Sequence, residues 1–156
     1  NGKSTDVIDV AYFLDKVFSH QKAKGVSDKP QRMLYVEDSP FFQKLTVPFF
    51  ESAGFVVEAM LNGEAALDYL KHHVSEVDIV VTDIEMPGIS GFEFASIIKA
   101  HPEYSHLPVF GFSSRVHEVA LENAKVSGIR GLFEKTNRAG LLDAIRAKNK
   151  QKLVVA

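Results

Sequence analysis

From residue 31 onward, short apolar runs alternate with amphipathic stretches along the chain. Met33-Leu34-Tyr35-Val36, Phe55 to Met60, Val77 to Thr82, Val109 to Phe112 and Ile129 to Phe133 are rich in β-branched and aromatic residues and show little polar alternation. That pattern predicts strands, and the nearly uninterrupted run that stops at Asp83 predicts one covered on both faces. Between them, Ser39-Pro40 predicts an N-cap followed by proline at the first helical position, with a helix running to about Ala53 and bent at Pro48. Asn62 predicts the cap of a helix reaching about His72, and further helices are predicted over Phe92 to Ala100, Val116 to Val126 and Arg138 to Lys148. Strand and helix thus alternate five times. With connections this short, the alternation implies a parallel sheet with right-handed crossovers and helices on both faces.

The first 30 residues have a different texture. Val7, Val10, Leu14 and Val17 recur at helical spacing, widened by Ala11 and Phe18, and predict a short amphipathic helix. Gln21 to Pro30 is polar, is broken by Gly25 and Pro30, and has a linker's composition. The expected organisation is therefore residues 1–30 as helix and linker, 31–149 as the main domain and 150–156 as a tail. The stripe of the leading helix needs an apolar partner, either the domain itself or a second copy, which leaves room for a homodimer.

Composition narrows the function classes. Of 156 residues, 46% are hydrophobic and 24% charged, enough for one domain with a sizeable core. A net charge of −2 offers no basic surplus for nucleic acid, and no apolar stretch has the length of a membrane span. Without cysteine there is neither a disulfide framework nor a thiolate metal site. His72, His73, His101 and His106 share no face, which argues against zinc. The expected location is the cytoplasm.

The chemistry gathers where strands end. Glu37-Asp38, Asp83, Ser113 and Lys135 each follow an apolar run, and in a parallel sheet such ends share one edge. The Asp83 strand runs straight into Pro87, Gly88 and Gly91, a turn that fixes the acid at a loop mouth. A lone acid in such a place is often only a helix cap. Three carboxylates together repel one another, so one takes up a proton or a cation holds them. Oxygen donors without His or Cys point to Mg²⁺, which binds through one or two carboxylates plus phosphate. Lys135 would then supply a point charge to a phosphoryl group, Ser113 a hydroxyl donor, and Asp83 the nucleophile.

Glu37-Asp38, Asp83-x-x-Met86-Pro87-x-x-x-Gly91, Phe112-Ser113-Ser114 and Phe133-Glu134-Lys135, in this order, resemble the receiver domain of two-component response regulators over about Gln31 to Lys148. The resemblance implies a flavodoxin-like, doubly wound five-stranded parallel sheet of order 2-1-3-4-5. It also implies that Asp83 accepts phosphate from the phosphohistidine donor domain of a histidine kinase. Mg²⁺ would be held by Asp38 directly, Glu37 through water, Asp83 itself and the main-chain carbonyl of Glu85. Phe133 would be the switch aromatic that answers Ser113, reshaping a face of helix 4, strand 5 and helix 5 where a signalling partner docks. As an isolated domain the chain would not be an enzyme beyond its own phosphotransfer and dephosphorylation.

Two positions depart from the receiver pattern. Thr136 stands where receivers commonly carry a cis-proline, and a non-proline cis bond costs about 2.5–4 kcal/mol, so a trans bond is expected there. Ser114 adds bulk where Ala or Gly is usual. A second resemblance links Asp6 to Leu14 to the end of the coupling domain of chemotaxis histidine kinases, and Lys135-Thr136-Asn137-Arg138-x-x-Leu141-Leu142 to receivers fused to them. It implies the C-terminal receiver of a hybrid chemotaxis kinase. The open alternatives are a phosphorylation-independent interaction module and an Asp-nucleophile phosphatase, the latter wanting an Asp where Glu85 stands. His117-Glu118 mimics the acceptor dipeptide of histidine kinases, but no hairpin or ATP site accompanies it, and a surface histidine is expected.

Overall fold

The computed structural model describes residues 30–147 and 154–155. The expected helix over Val7 to Phe18, most of its linker and most of the tail lie outside them. Gln31–Ala156 forms one compact unit. Its strands are β1 (Arg32–Val36), β2 (Val56–Met60), β3 (Ile79–Asp83), β4 (Val109–Ser113) and β5 (Gly131–Glu134). The helices are α1 (Pro40–Ser52), α2 (Gly63–His73), α3 (Gly91–Ala100), α4 (Glu118–Ser127) and α5 (Arg138–Arg146). The five strands are all parallel in the order β2-β1-β3-β4-β5, the expected doubly wound arrangement. A two-residue strand, β6 (Val154–Val155), extends this sheet beyond β5, pairing Gly131 with Val154 and Leu132 with Val155. The sequence predicts only a tail there, because two valines are too short a run to announce a strand.

Side chains at the helix starts satisfy amides that have no partner within the helix. Ser39 accepts from the Phe42 amide at 3.2 Å, Asn62 from Ala65 at 2.7 Å and Asn137 from Gly140 at 3.0 Å. Ser90 and Glu93 form a reciprocal capping box. Helix α4 starts two residues later than the apolar pattern predicts, since His117 is its cap: Nδ1 accepts from the Ala120 amide at 3.3 Å. That is the role of the exposed histidine.

Alternation along the strands divides the core in two. Leu34, Val36, Val80 and Leu132 pack with Ala66 and Leu70 of α2, Phe94 and Ile98 of α3, and Ala120 and Ala124 of α4. Met33, Tyr35, Val81, Phe112 and Phe133 pack with Phe50 of α1 and Leu141, Leu142 and Ile145 of α5. Phe133 is 1% exposed in the second cluster, whereas Leu132 is the β5 residue that meets α4. Phe133, the expected switch aromatic, thus lies buried on the side of α1 and α5, where its parity places it. No peptide bond among the described residues is cis, so Lys135–Thr136 is trans as expected.

Gly91 starts α3 against the end of β3. Its amide donates to the Ile84 carbonyl at 2.9 Å, and a Cβ there would press on the Asp83 carbonyl oxygen and lie 2.8 Å from Ile84 Cα. Both obstacles are backbone, so neither can rotate away. Gly91→Ala is expected to destabilise the domain by about 3 kcal/mol, the upper end for overpacking, measured as a lower urea midpoint at unchanged slope.

Candidate functional site

Four strands end on one edge and set the site. Asp83, the last residue of β3, is 1% exposed, and Glu37, directly after β1, is fully buried. With half-buried Asp38, their carboxylates bring one oxygen each within 4.8 Å of the others. Lys135 lies just past β5, its amide donating to the Ser113 carbonyl at 2.9 Å. Its Nζ reaches Glu37 Oε1 at 3.2 Å and Asp83 Oδ2 at 3.3 Å. One ammonium thus bridges two buried carboxylates carried by different strands.

The charges do not balance. Three acids face one lysine, and low-dielectric surroundings magnify the repulsion. Burial, and then the neighbouring Glu37 charge, push the Asp83 carboxyl up to about 8, against the opposing pull of Lys135. Burial alone would lower the Lys135 pKa, but attraction to Asp83 and Glu37 outweighs it and the net shift is upward. Asp83 Oδ1 is the buried side-chain polar atom left without a hydrogen-bond partner among the described residues. An orphaned carboxylate oxygen inside a three-carboxylate cluster fits an oxygen-seeking divalent cation such as Mg²⁺.

Several supporting residues escaped the sequence reading. Glu37 Oε2 accepts from the Ser39 amide at 3.1 Å, while the fully buried Tyr35 hydroxyl lies 3.4 Å from Oε1. Burial raises the Tyr35 pKa, so this hydroxyl keeps its proton and can only help hold Glu37 as an acceptor. Gln43 Nε2 donates to the Glu37 and Met60 carbonyls at 3.0 Å each, tying the ends of β1 and β2 together. Lys135 Nζ sits 4.4 Å from the centre of the Phe42 ring, a cation–π contact. The 3.6-residue period of α1 places Phe42 on the site-facing side, but nothing in its type distinguishes it from a core residue.

Ser113 and Glu85 are bonded to each other through their side chains. Ser113 ends β4 and is 1% exposed, yet its hydroxyl donates to Glu85 Oε2 at 2.7 Å and lies 2.8 Å from the Arg115 carbonyl. Alternation explains this: Ser113 shares parity with Val109 of the α4-side core, whereas Asp83 shares parity with Val81 of the α1-side core. Glu85, expected to contribute a main-chain carbonyl, also presents an exposed side chain that binds the serine.

Among known proteins, residues 33–146 match the response regulator receiver domain family. Chemotaxis protein CheV2 of Helicobacter pylori is 36% identical over 107 residues, which are 67% of this chain and 34% of that protein. The autoinducer sensor kinase/phosphatase CqsS of Vibrio cholerae is 29% identical over 120 residues, 75% of this chain and 17% of that protein. The chain therefore spans about a third or less of these relatives. A crystal structure of a CheX-CheY-BeF3-Mg²⁺ complex from Borrelia burgdorferi superposes with a TM-score of 0.72 at 27% identity, covering 83% of this chain and 98% of that one. With the sheet order, the acidic strand ends and a family match spanning the whole α/β unit, this chain belongs to the response regulator receiver family of two-component signalling, with chemotaxis receivers among its relatives.

Proposed function

We propose that this receiver accepts a phosphoryl group on Asp83 from the phosphohistidine of a histidine kinase. The observation that carries the reading is the buried Asp83 carboxylate itself, with Oδ1 lacking a partner and Oδ2 held by Lys135. In the transfer, an Asp83 oxygen forms the bond to phosphorus as the nitrogen–phosphorus bond of the donor breaks, and the leaving imidazole takes up a proton. Lys135 turns from Asp83 towards a phosphoryl oxygen. Mg²⁺ would be held by Asp38 directly, Glu37 through water, Asp83, and the Glu85 main-chain carbonyl, and it would neutralise charge on the phosphoryl oxygens. The Asp-nucleophile phosphatase is disfavoured because the carboxylate two residues beyond Asp83, that of Glu85, is tied to Ser113 instead of being free as an acid.

The partner face we assign is α4, β5 and α5, where Val119 and Val126 are 65% and 84% exposed. A chemotaxis-type kinase is the parent this reading favours; the likeness to CqsS supports a kinase as parent, and the likeness to CheV2 supports a chemotaxis system. Among the described residues no helix is long and apolar enough to cross a membrane.

Incubation with Mg²⁺ and acetyl phosphate is expected to add the mass of one phosphoryl group. Asp83→Asn should abolish the gain and Lys135→Ala should slow it by about 10²-fold or more, as for the loss of one electrostatic stabiliser. Undiminished labelling of the Asp83 variant would overturn the assignment.

A second expectation concerns pH. Asp83 holds its proton in the folded state up to about 8 but releases it near 4 when unfolded, so the native state binds more protons across that window. Without Mg²⁺, stability from this group is full below pH 4 and is lost as pH rises through 8. Melting temperature should therefore fall over that range, less steeply in Asp83→Asn. Because the cation displaces the proton, Mg²⁺-induced stabilisation should grow between pH 6 and 8. Thermal melts with and without Mg²⁺ check both slopes.

A further inference from the structure

Ser113 Oγ carries a single proton and faces two acceptors, Glu85 Oε2 at 2.7 Å and the Arg115 carbonyl at 2.8 Å. The ionised acceptor forms the stronger bond. The Arg115 amide approaches the same oxygen from 3.3 Å, so the hydroxyl both donates and accepts. The other Glu85 oxygen lies 3.4 Å from the Ser114 amide and 3.4 Å from its hydroxyl. One carboxylate therefore spans Ser113 at the end of β4 and Ser114 just beyond it. Ser114, whose bulk departs from the receiver pattern, adds a second donor to that grip.

We infer that the Glu85 side chain is a latch on the Ser113 hydroxyl, competing with a phosphoryl group on Asp83 for the same proton. The inference rests on the phosphoacceptor reading of Asp83, and it makes Glu85 a positioning residue by its side chain, apart from any role of its carbonyl. A phosphoryl oxygen is the only acceptor of comparable charge that the neighbouring strand end would bring, and it can engage Ser113 only when Glu85 lets go. The carboxylate has somewhere to go. It borders an open cleft of about 300 Å³ shared with Phe92, Arg115 and His117, so release costs it no burial. The latch thus biases the unphosphorylated state and weakens the binding of any phosphoryl-like group on Asp83.

The test is a double-mutant cycle on the affinity of beryllium fluoride in the presence of Mg²⁺, titrated against the intact chain. Glu85→Ala is expected to bind about ten-fold tighter than wild type, equal to about 1.4 kcal/mol. Glu85→Gln, which keeps an acceptor but loses the charge, should fall between them. Ser113→Ala should bind more weakly than wild type, and adding Glu85→Ala to it should change nothing further, because there is no hydroxyl left to release. If Glu85→Ala tightens binding equally in the Ser113→Ala background, it acts by removing a nearby negative charge and the latch is refuted. Equal affinities of wild type, Glu85→Ala and Glu85→Gln refute it as well. Should none of the proteins bind beryllium fluoride, the phosphoacceptor reading itself falls, an outcome distinct from failure of the latch alone, in which wild type binds.

Discussion

The ammonium of Lys135, held between Glu37 and Asp83, is the contact on which the rest of the site depends. Two carboxylates buried this deeply would not share an edge without a cation between them, and Lys135 is the cation the chain itself supplies. It bridges the ends of β1, β3 and β5. Those strands must therefore be parallel and stop at the same level, which is what the register provides, from Val36 opposite Thr82 to Asp83 opposite Phe112 and Ser113 opposite Glu134. One lysine cannot neutralise three acids, so the site retains an affinity for further positive charge, and burial together with the Glu37 charge pushes the Asp83 carboxyl pKa up. The unsatisfied charge is stored in a rigid scaffold.

That scaffold is built at the residues beside the acids. Gln43 joins the ends of β1 and β2, the Ser39 amide orients Glu37, and Phe42 lies against Lys135. All three lie at or within the first turns of α1, so the proline-initiated helix after Asp38 is as much a part of the site as the acids are. Gly91 plays the corresponding part after β3, letting α3 begin against the Asp83 backbone where any side chain would collide. The motif glycine thus marks a close approach between helix and strand.

Parity then divides the groups into two neighbourhoods. Glu37, Asp83 and Lys135 each lie two residues beyond a member of one core cluster, namely Tyr35, Val81 and Phe133. Ser113 follows the opposite cluster, the one that includes α4, and meets Glu85 there. Asp83 and the α4 surface are consequently on different sides of the sheet, with the end of β4 and its serine between them. Phe133 backs the lysine side, and Leu132 is the β5 residue in contact with the α4 core.

Much of this was legible in the residues themselves. Short apolar runs alternating with amphipathic helices leave one sheet type open, so the fold class follows from that alternation, although the edge strand β2 is only partly covered. Because strand ends in such a sheet share an edge, Glu37, Asp38, Asp83 and Lys135 could be placed together before any distance was known. What the residues could not disclose depends on contacts between positions far apart in the chain. Alternation puts Ser113 on the α4 side, but that the Glu85 carboxylate meets it there depends on the path of the loop after β3. Tyr35, Phe42 and Gln43 read as ordinary helix and core residues until the backbone carries them to the acids. The pairing of Val154–Val155 with β5 was also invisible, since two valines carry no period and only an open sheet edge gives them a partner. Local pattern determined which elements form and which ends carry charge, whereas tertiary packing decided which partner each polar atom meets, because a hydrogen bond depends on distances of a few tenths of an ångström that no linear spacing encodes.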